Sequence, residues 1–419
     1  MENVTVAVVQ QRMSIPPTHE DFEAEARRFL RQAQAKAVHL TVFPELTGVM
    51  LAPPLISGFK RSFIQRQDEG KRPKAGILSR SVGRLAGTTG GALGGGFKGS
   101  LERLLRKRSN ELRDAYIEMF GRLAREFSTA IVAGSLYVYD EETDAVKNRS
   151  YLFDVAGDVV GYQDKLNLTA DEQGLASPGT SVNVLATRYG RLGLVLGLDA
   201  LYPEIARLMA IRGADILIGV VASPGSSPAK AVRSALALRA EENQVFVACS
   251  FLLGPNHLGP ENREDFFGQS ALLAPISLTP KGDGILIQAG TDRTEGIVAG
   301  DLALEELNTL RQTSRFQPRR DMHLGDMGSV LADFYQRGLT IEEAVEAELA
   351  ISEAPAFEPV TELELPEEEP PEGIAEEPSE AVAEEPAAEG EPQAESESEA
   401  TYPSVAEVLS LTGQEEAEE

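Results

Sequence analysis

Arg191-Leu-Gly-Leu-Val-Leu-Gly-Leu-Asp-Ala-Leu-Tyr-Pro-Glu204 is the stretch on which the reading of this chain turns. Its apolar first half reads as a buried strand. A sharp elbow is expected after Leu198, and a helix start at Tyr202-Pro203-Glu204. Proline suits the first helical turn because its missing N–H would have no partner there, and an acid there complements the helix dipole. A strand-elbow-helix unit of this kind presents a nucleophile at its elbow in many hydrolases. The residues at this elbow are Gly197, Leu198 and Asp199. Neither glycine nor leucine can act as one.

Working outward, the chain alternates strand and helix patterns. Val4–Val9 is a Val-rich run typical of a buried strand. Thr18 is a good N-cap, and Phe22, Ala26, Phe29, Ala33 and Ala37 recur at helical spacing. Leu40–Phe43 is a second buried strand, ending in Pro44-Glu45. A helix pattern runs from Leu101 through Leu104, Leu105, Leu112, Tyr116, Met119 and Leu123 to Phe127. Strands follow at 130–134, 182–185, 192–198, 216–221, 245–250 and 268–273. A hairpin over 151–160 turns at Ala156-Gly157, and helices are expected at about 203–212 and 227–243. Alternation of this kind predicts an α/β layered protein.

Five motifs carry a resemblance to the nitrilase superfamily, the carbon–nitrogen hydrolases. They are Phe43-Pro-Glu45; Asn148 through Lys165 with Gly157 and Tyr162; Gly193 through Glu204 with Gly213-Ala-Asp215; Arg239-Ala-Glu-Glu-Asn243; and Phe267-Gly-Gln-Ser270. The resemblance implies an α/β fold of the nitrilase type, a four-layer α-β-β-α sandwich. It also implies pairing into dimers or larger homo-oligomers through a helical face. The family's nucleophile segment reads Gly-x-x-x-Cys-x-Asp-x-x-x-Pro-Glu. Here Gly193, Asp199, Pro203 and Glu204 keep their places, and Gly197 stands where the cysteine belongs.

Hydrolysis of this type needs a thiolate to attack the carbonyl or nitrile carbon, a carboxylate to move the proton and a cation to hold the oxyanion. By position, the resemblance makes Glu45 the carboxylate and Lys165 the cation. Glu172 is a second, positioning carboxylate, and Asp199 and Tyr202 belong to the pocket around the elbow. No cofactor and no metal is called for. Cys249, the single cysteine, lies in an apolar strand pattern and is expected to be inert. The leading expectation is a nitrilase-fold pseudoenzyme serving as a scaffold or a ligand-sensing, membrane-associated interaction module. The alternative is an active amidase-like enzyme that uses an unrecognised nucleophile or water.

The net charge of −27 divides unevenly: residues 352–419 carry 23 Glu and no Lys, Arg or Asp, which leaves −4 for residues 1–351. We expect residues 1–312 to form the nitrilase-like domain, 313–351 a helical extension, and 352–419 a disordered acidic tail. A basic, Gly-rich insertion is expected at 49–110. Residues 51–113 hold 14 Lys and Arg against 4 Asp and Glu, interleaved with Leu, Ile and Phe. That composition suits an anionic membrane surface, or a loop that docks on the acidic tail. With no Trp or Tyr there to stack on bases, nucleic acid is not the expected partner. The apolar island at 402–411 is a candidate docking motif for a protein partner. One cysteine and no signal-type N-terminus point to a cytoplasmic protein, peripheral to the membrane if the basic arm engages it.

Overall fold

The structure is a computed structural model, and it describes residues 3–55, 96–258, 264–315 and 325–338 together with Pro318 and Glu343. Residues 1–330 form one compact unit and residues 331–419 a second. The centre of the basic arm, the acidic tail and the 402–411 island lie outside the described residues.

Strand β1 (Val4–Arg12) is the axis of the first unit. It pairs in parallel with β2 (Leu40–Phe43), which pairs in parallel with β3 (Ala130–Ala133). Beyond β3 come β5 (Ala145–Phe153), flanked by β4 (Leu136–Asp140) and β6 (Val159–Asp164), all antiparallel. The other edge of β1 carries β15 (Gly296–Leu302), antiparallel from Val4↔Leu302 to Gln10↔Gly296. A second set of strands comprises β7 (Val184–Thr187), β8 (Gly190–Leu196), β9 (Ile216–Val221), β11 (Phe246–Leu253), β13 (Ala271–Leu273) and β14 (Ile285–Gln288). Two short strands, β10 (Ser223–Pro224) and β12 (Phe266–Phe267), pair antiparallel with each other. Among the described residues, the two larger sets join only where the end of β1 meets β11, at Gln11↔Leu252 and Arg12↔Leu253.

The alternating side chains explain the layering. Val6 and Val8 of β1, with Leu40 and Val42 of β2, pack against Leu192, Leu194, Leu196, Ile216 and Ile218 of β8 and β9. That apolar layer is the seam between the two sheets. On the far side of the first sheet, Phe43 and Ile131 meet helices α1 (His19–Gln34) and α2 (Gly96–Phe127), through Phe29 and Phe120 among others. On the far side of the second, Leu217 and Val247 meet α3 (Pro203–Ile211) and α4 (Ser226–Asn243), through Met209 and Leu236. The order is helix, sheet, sheet, helix, as the resemblance implied. A further helix, α5 (Leu304–Thr313), buries Leu304 and Leu307 in the inter-sheet layer.

Local signals read from the sequence recur at α1 and at the hairpin. Thr18 caps α1 in a reciprocal box: the Asp21 amide donates to Thr18 Oγ1 at 3.1 Å, and the Thr18 amide donates to Asp21 Oδ2 at 3.1 Å. The β5–β6 hairpin turns through Gly157, and the Gly157 amide donates to the Asp154 carbonyl at 3.0 Å. The Val330–Tyr335 helix is present as part of α6 (Gly325–Arg337). Differences are equally local. The elbow begins earlier than expected: β8 stops at Leu196, and a 3-10 turn spans Gly197–Leu201. Gly197 has φ +50°, a left-handed conformation that cannot continue a strand. Residues 49–52, expected within the insertion, are buried against the first sheet and its helices, as are Leu101, Leu104 and Leu105 at the start of α2.

Candidate active site

Four segments deliver their side chains to one buried point. The first is the loop after β2. Pro44-Glu45 leaves the strand, and Leu46 turns the chain in the left-handed region at φ 65°. The Leu46 amide donates to Ser135 Oγ at 3.0 Å, and Thr47 Oγ1 closes the turn on the Pro44 carbonyl at 2.7 Å. Close approach to the neighbouring strand end needs Gly134, where a Cβ would lie 2.0 Å from the Pro44 carbonyl oxygen. The second segment is β5, which supplies Asn148. The third follows β6: the Lys165 amide pairs with the Asn148 carbonyl at 2.8 Å, so Lys165 enters beside Asn148. A short turn then brings Glu172 back to the same point. The fourth is the elbow itself.

Lys165 Nζ donates to Glu45 Oε1 at 2.8 Å and to Glu172 Oε2 at 2.6 Å. Asn148 Nδ2 bridges the same two carboxylates, at 3.0 Å from Glu45 Oε1 and 2.7 Å from Glu172 Oε1. Glu45 Oε2 accepts from the Ala222 amide at 2.8 Å, at the exit of β9. Glu172 is held further by the Thr169 amide at 2.8 Å, Thr169 Oγ1 at 2.9 Å and the Tyr137 hydroxyl at 3.3 Å. Glu45, Asn148, Lys165 and Glu172 are all buried; Glu45 is 1% exposed and Lys165 2%. Asn148 Oδ1 is buried with no hydrogen-bond partner among the described residues.

Gly197 faces this cluster directly. A Cβ built on it would lie 2.6 Å from Glu45 Oε2 and 3.2 Å from Lys165 Nζ. Gly197, the residue that the resemblance sets at the nucleophile position, therefore borders the carboxylate and the ammonium. In this chain the Glu45 carboxylate occupies the space that a side chain there would need. Asp199 has a different task. Its carboxylate accepts from the Leu166 amide at 3.0 Å, the Asn167 amide at 2.7 Å and Asn167 Nδ2 at 2.9 Å, tying the elbow to the segment that carries Lys165. Arg239 of α4 supports the elbow from behind, donating to the Ala200 carbonyl at 3.2 Å. Tyr202 is 45% exposed at the start of α3. Cys249 is fully buried in β11, where its Sγ donates to the Ala271 carbonyl at 3.3 Å and burial pushes the thiol up to about 11.

Two carboxylates share one ammonium, so the fully ionised cluster carries a net charge of −1. Burial drives the Glu45 carboxyl upward, Lys165 offsets part of that, and the charge on Glu172 adds to it, leaving Glu45 at about 7. Glu172 is held below the ordinary carboxylate value: burial raises it, but Lys165, Thr169 and Asn148 outweigh the burial. Burial alone would lower Lys165, yet the two carboxylates keep its ammonium above the ordinary lysine value. The cluster thus takes up its first proton on Glu45. Among the described residues, no group of three or more His, Cys, Asp or Glu side chains is placed to hold a metal.

The stability consequence has a definite sign. A carboxyl that binds its proton more tightly folded than unfolded contributes stability fully present below the unfolded value, about 4.5, and lost as pH rises through about 7. Glu172 acts oppositely, its contribution being lost as pH falls below 4.5. Glu45→Gln is therefore expected to flatten the decline in unfolding free energy between pH 5 and pH 8, a difference on the order of 1–3 kcal/mol. Urea titrations of both proteins at several pH values check this; parallel curves would remove Glu45 from the titration.

Asn148, Tyr137, Thr169 and the Ala222 amide complete the cluster, and the sequence reading gives none of them a role. Asn148 opens the second motif, and that was the one available signal. The Ala222 contribution is a backbone N–H, which no side-chain pattern reveals.

Fold and cluster together define a class, and comparison with known proteins agrees. Residues 5–312 match the carbon-nitrogen hydrolase family model, and the chain belongs to that family. The probable hydrolase YhcX of Bacillus subtilis is 31% identical over 218 residues, covering 51% of this chain and 41% of that protein. A probable nitrilase of Schizosaccharomyces pombe is 26% identical over 192 residues, 45% of this chain and 65% of its own length. The chain thus spans less than two thirds of these two relatives. The human omega-amidase NIT2 is 26% identical over 221 residues, 50% of this chain and 75% of that protein. Among solved structures, Saccharomyces cerevisiae Nit3 superposes with a TM-score of 0.53 at 22% identity, over 77% of this chain and 97% of that one. A Helicobacter pylori carbon-nitrogen hydrolase gives 0.56 at 20% identity, over 78% and 98%. At these identities the structural likeness speaks for the fold.

Proposed function

We propose that this protein keeps the carbon-nitrogen hydrolase fold without cysteine-dependent hydrolysis, and acts as a scaffold or ligand-sensing module. One observation carries the reading: the residue at the expected nucleophile position is Gly197, and Glu45 Oε2 lies only 2.6 Å from where its Cβ would stand. A second supports it. Cys249 is fully buried and held in its thiol form, so it is no substitute nucleophile. Loss of a covalent nucleophile typically removes on the order of 10⁶-fold in kcat. On this reading the Glu45–Lys165–Glu172–Asn148 cluster persists because it is a buried hydrogen-bonded network that ties four segments together. Removing Lys165 would leave two buried carboxylates without their cation.

The direct test is turnover. The purified protein is expected to release no ammonia from simple amides, nitriles or ureido compounds above a buffer blank. Turnover that copurifies with the protein and vanishes in Glu45→Ala overturns the reading in favour of a water-based or unrecognised mechanism. Gly197→Cys is the companion variant. Its new thiol, beside the Lys165 ammonium, is expected to react with small electrophiles faster than Cys249 does.

The scaffold reading extends to self-association. Ile211 is 67% exposed on α3 and Leu238 is 61% exposed on α4, with Leu208 also exposed. Exposed aliphatic side chains on neighbouring helices suit a homo-oligomer interface. Ile211→Glu combined with Leu238→Glu is expected to shift the protein to a monomer in sedimentation analysis. An unchanged species would place the interface elsewhere. No described helix is long and apolar enough to cross a membrane. The role we propose for the basic 51–113 arm, attachment to anionic lipid surfaces, therefore rests on composition and charge.

A further inference from the structure

A cavity of about 320 Å³ opens between one face of α4 and the segment entering β13. Lys230, Arg233 and Ser234 line it from the helix, Phe267 and Gln269 from the facing segment, and Asp292 from the loop between β14 and β15. None of the Glu45 cluster belongs to it. The volume lies at the lower end of small-molecule sites and exceeds what a bare ion needs.

Its electrostatics are unbalanced. Elsewhere in the fold, well-covered arginines meet carboxylates: Arg149 pairs with Asp140 and Asp164, Arg239 with Glu242, and Arg311 with Asp215. Arg233 is half-buried and pairs with no carboxylate among the described residues. Its Nη2 donates to the neutral Gln288 side chain, and its Nε is buried without a hydrogen-bond partner among the described residues. Lys230, one helical turn away, likewise has no ion-pair partner among the described residues. Asp292 lines the same cavity but turns to Arg293, at 3.8 Å. Two cations therefore face one cavity with no neutralising carboxylate on either. A guanidinium and an ammonium lining one cavity suit an oxyanion, through charge-assisted hydrogen bonds to both.

We propose that this cavity binds a small oxyanionic metabolite, carrying a single carboxylate or phosphate group that Lys230 and Arg233 hold. Ser234 and Gln269 supply neutral hydrogen-bonding capacity around that group. Phe267 gives the remainder of the ligand an apolar wall. Asp292 disfavours a second negative charge. The site is independent of the elbow and of the absent nucleophile, so it stands or falls separately from the proposal about catalysis.

Calorimetric titration of the full-length protein with inorganic phosphate, glycerol 3-phosphate and propionate tests it and separates phosphate from carboxylate chemistry. Saturable binding of at least one probe is expected, weakened by added salt. Lys230→Gln and Arg233→Gln should each weaken it by about tenfold or more, and the double variant should lose it. Asp292→Asn should tighten the doubly charged phosphate probes by a few-fold and leave propionate less affected. Lys230 is exposed, so Lys230→Gln keeps the test valid if Arg233→Gln folds poorly. Failure of all three probes to bind at millimolar concentration overturns the proposal. So does binding that survives unchanged in Lys230→Gln and the double variant.

Discussion

Lys165→Met is expected to destabilise the protein by about 3–5 kcal/mol at pH 8, the cost typical of removing one partner from a buried ion pair. The reason is geometric. Lys165 is 2% exposed and donates to both Glu45 and Glu172, so its removal leaves two desolvated carboxylates facing each other. Asn148 Nδ2 would still bridge them but carries no charge. Without the ammonium, both carboxyls would bind protons more tightly folded than unfolded, so the loss should shrink as pH falls toward 5. Adding Glu45→Gln and Glu172→Gln should recover most of it, because a neutral hydrogen-bonded cluster carries no unpaired charge. Chemical denaturation of the single and triple variants at pH 5 and pH 8 measures both effects. A single-variant loss below about 1 kcal/mol at pH 8 would mean that water or another cation reaches the carboxylates.

Gly197→Ala is expected to cost about 2–4 kcal/mol from two separable sources. A non-glycine residue held at φ +50° costs roughly 1–2 kcal/mol. The new Cβ would also sit 2.6 Å from Glu45 Oε2, forcing that carboxylate off the Ala222 amide. An unmade hydrogen bond to a buried charged group costs on the order of 1–3 kcal/mol. The two sources separate in a double-mutant cycle. In a Glu45→Ala background the steric part disappears, and Gly197→Ala should cost only the backbone part. Full additivity between the two substitutions would mean that Glu45 does not fill the space beside Gly197.

Much of this architecture was legible because its signals are local. Gly193, Asp199 and Pro203-Glu204 fix the elbow within a dozen residues, and Thr18 announces α1 by its own chemistry. The apolar runs of β1, β2, β8, β9 and β11 are continuous because sheet and helices cover them on both sides. Two of the strands that were not foreseen, β14 and β15, lack that mark. In β14, Ile285 and Ile287 stand at a half-exposed margin, and β15 carries Gly296 and Gly300 in place of a Val-rich run. Neither announces itself without its partner. The site divides in the same way. Glu45 and Lys165 follow strand ends and so could be placed by motif. Glu172 depends on a loop whose course the sequence does not dictate, and Tyr137 and Ala222 contribute only through long-range topology.

The left-handed elbow bears on what a single mutation at 197 can do. Two of the four glycine codons lie one base from a cysteine codon, so from either of them a cysteine at 197 is one mutation away. The protein chemistry is less permissive than the codon table. A variant with that side chain would have to accommodate it against Glu45, which bonds the Ala222 amide at the exit of β9. It would be less stable before it became more reactive. Selection acting on stability alone would then remove most such variants before any gain in chemistry could be tested. A glycine that relieves backbone strain can in this way hold its own place in the chain.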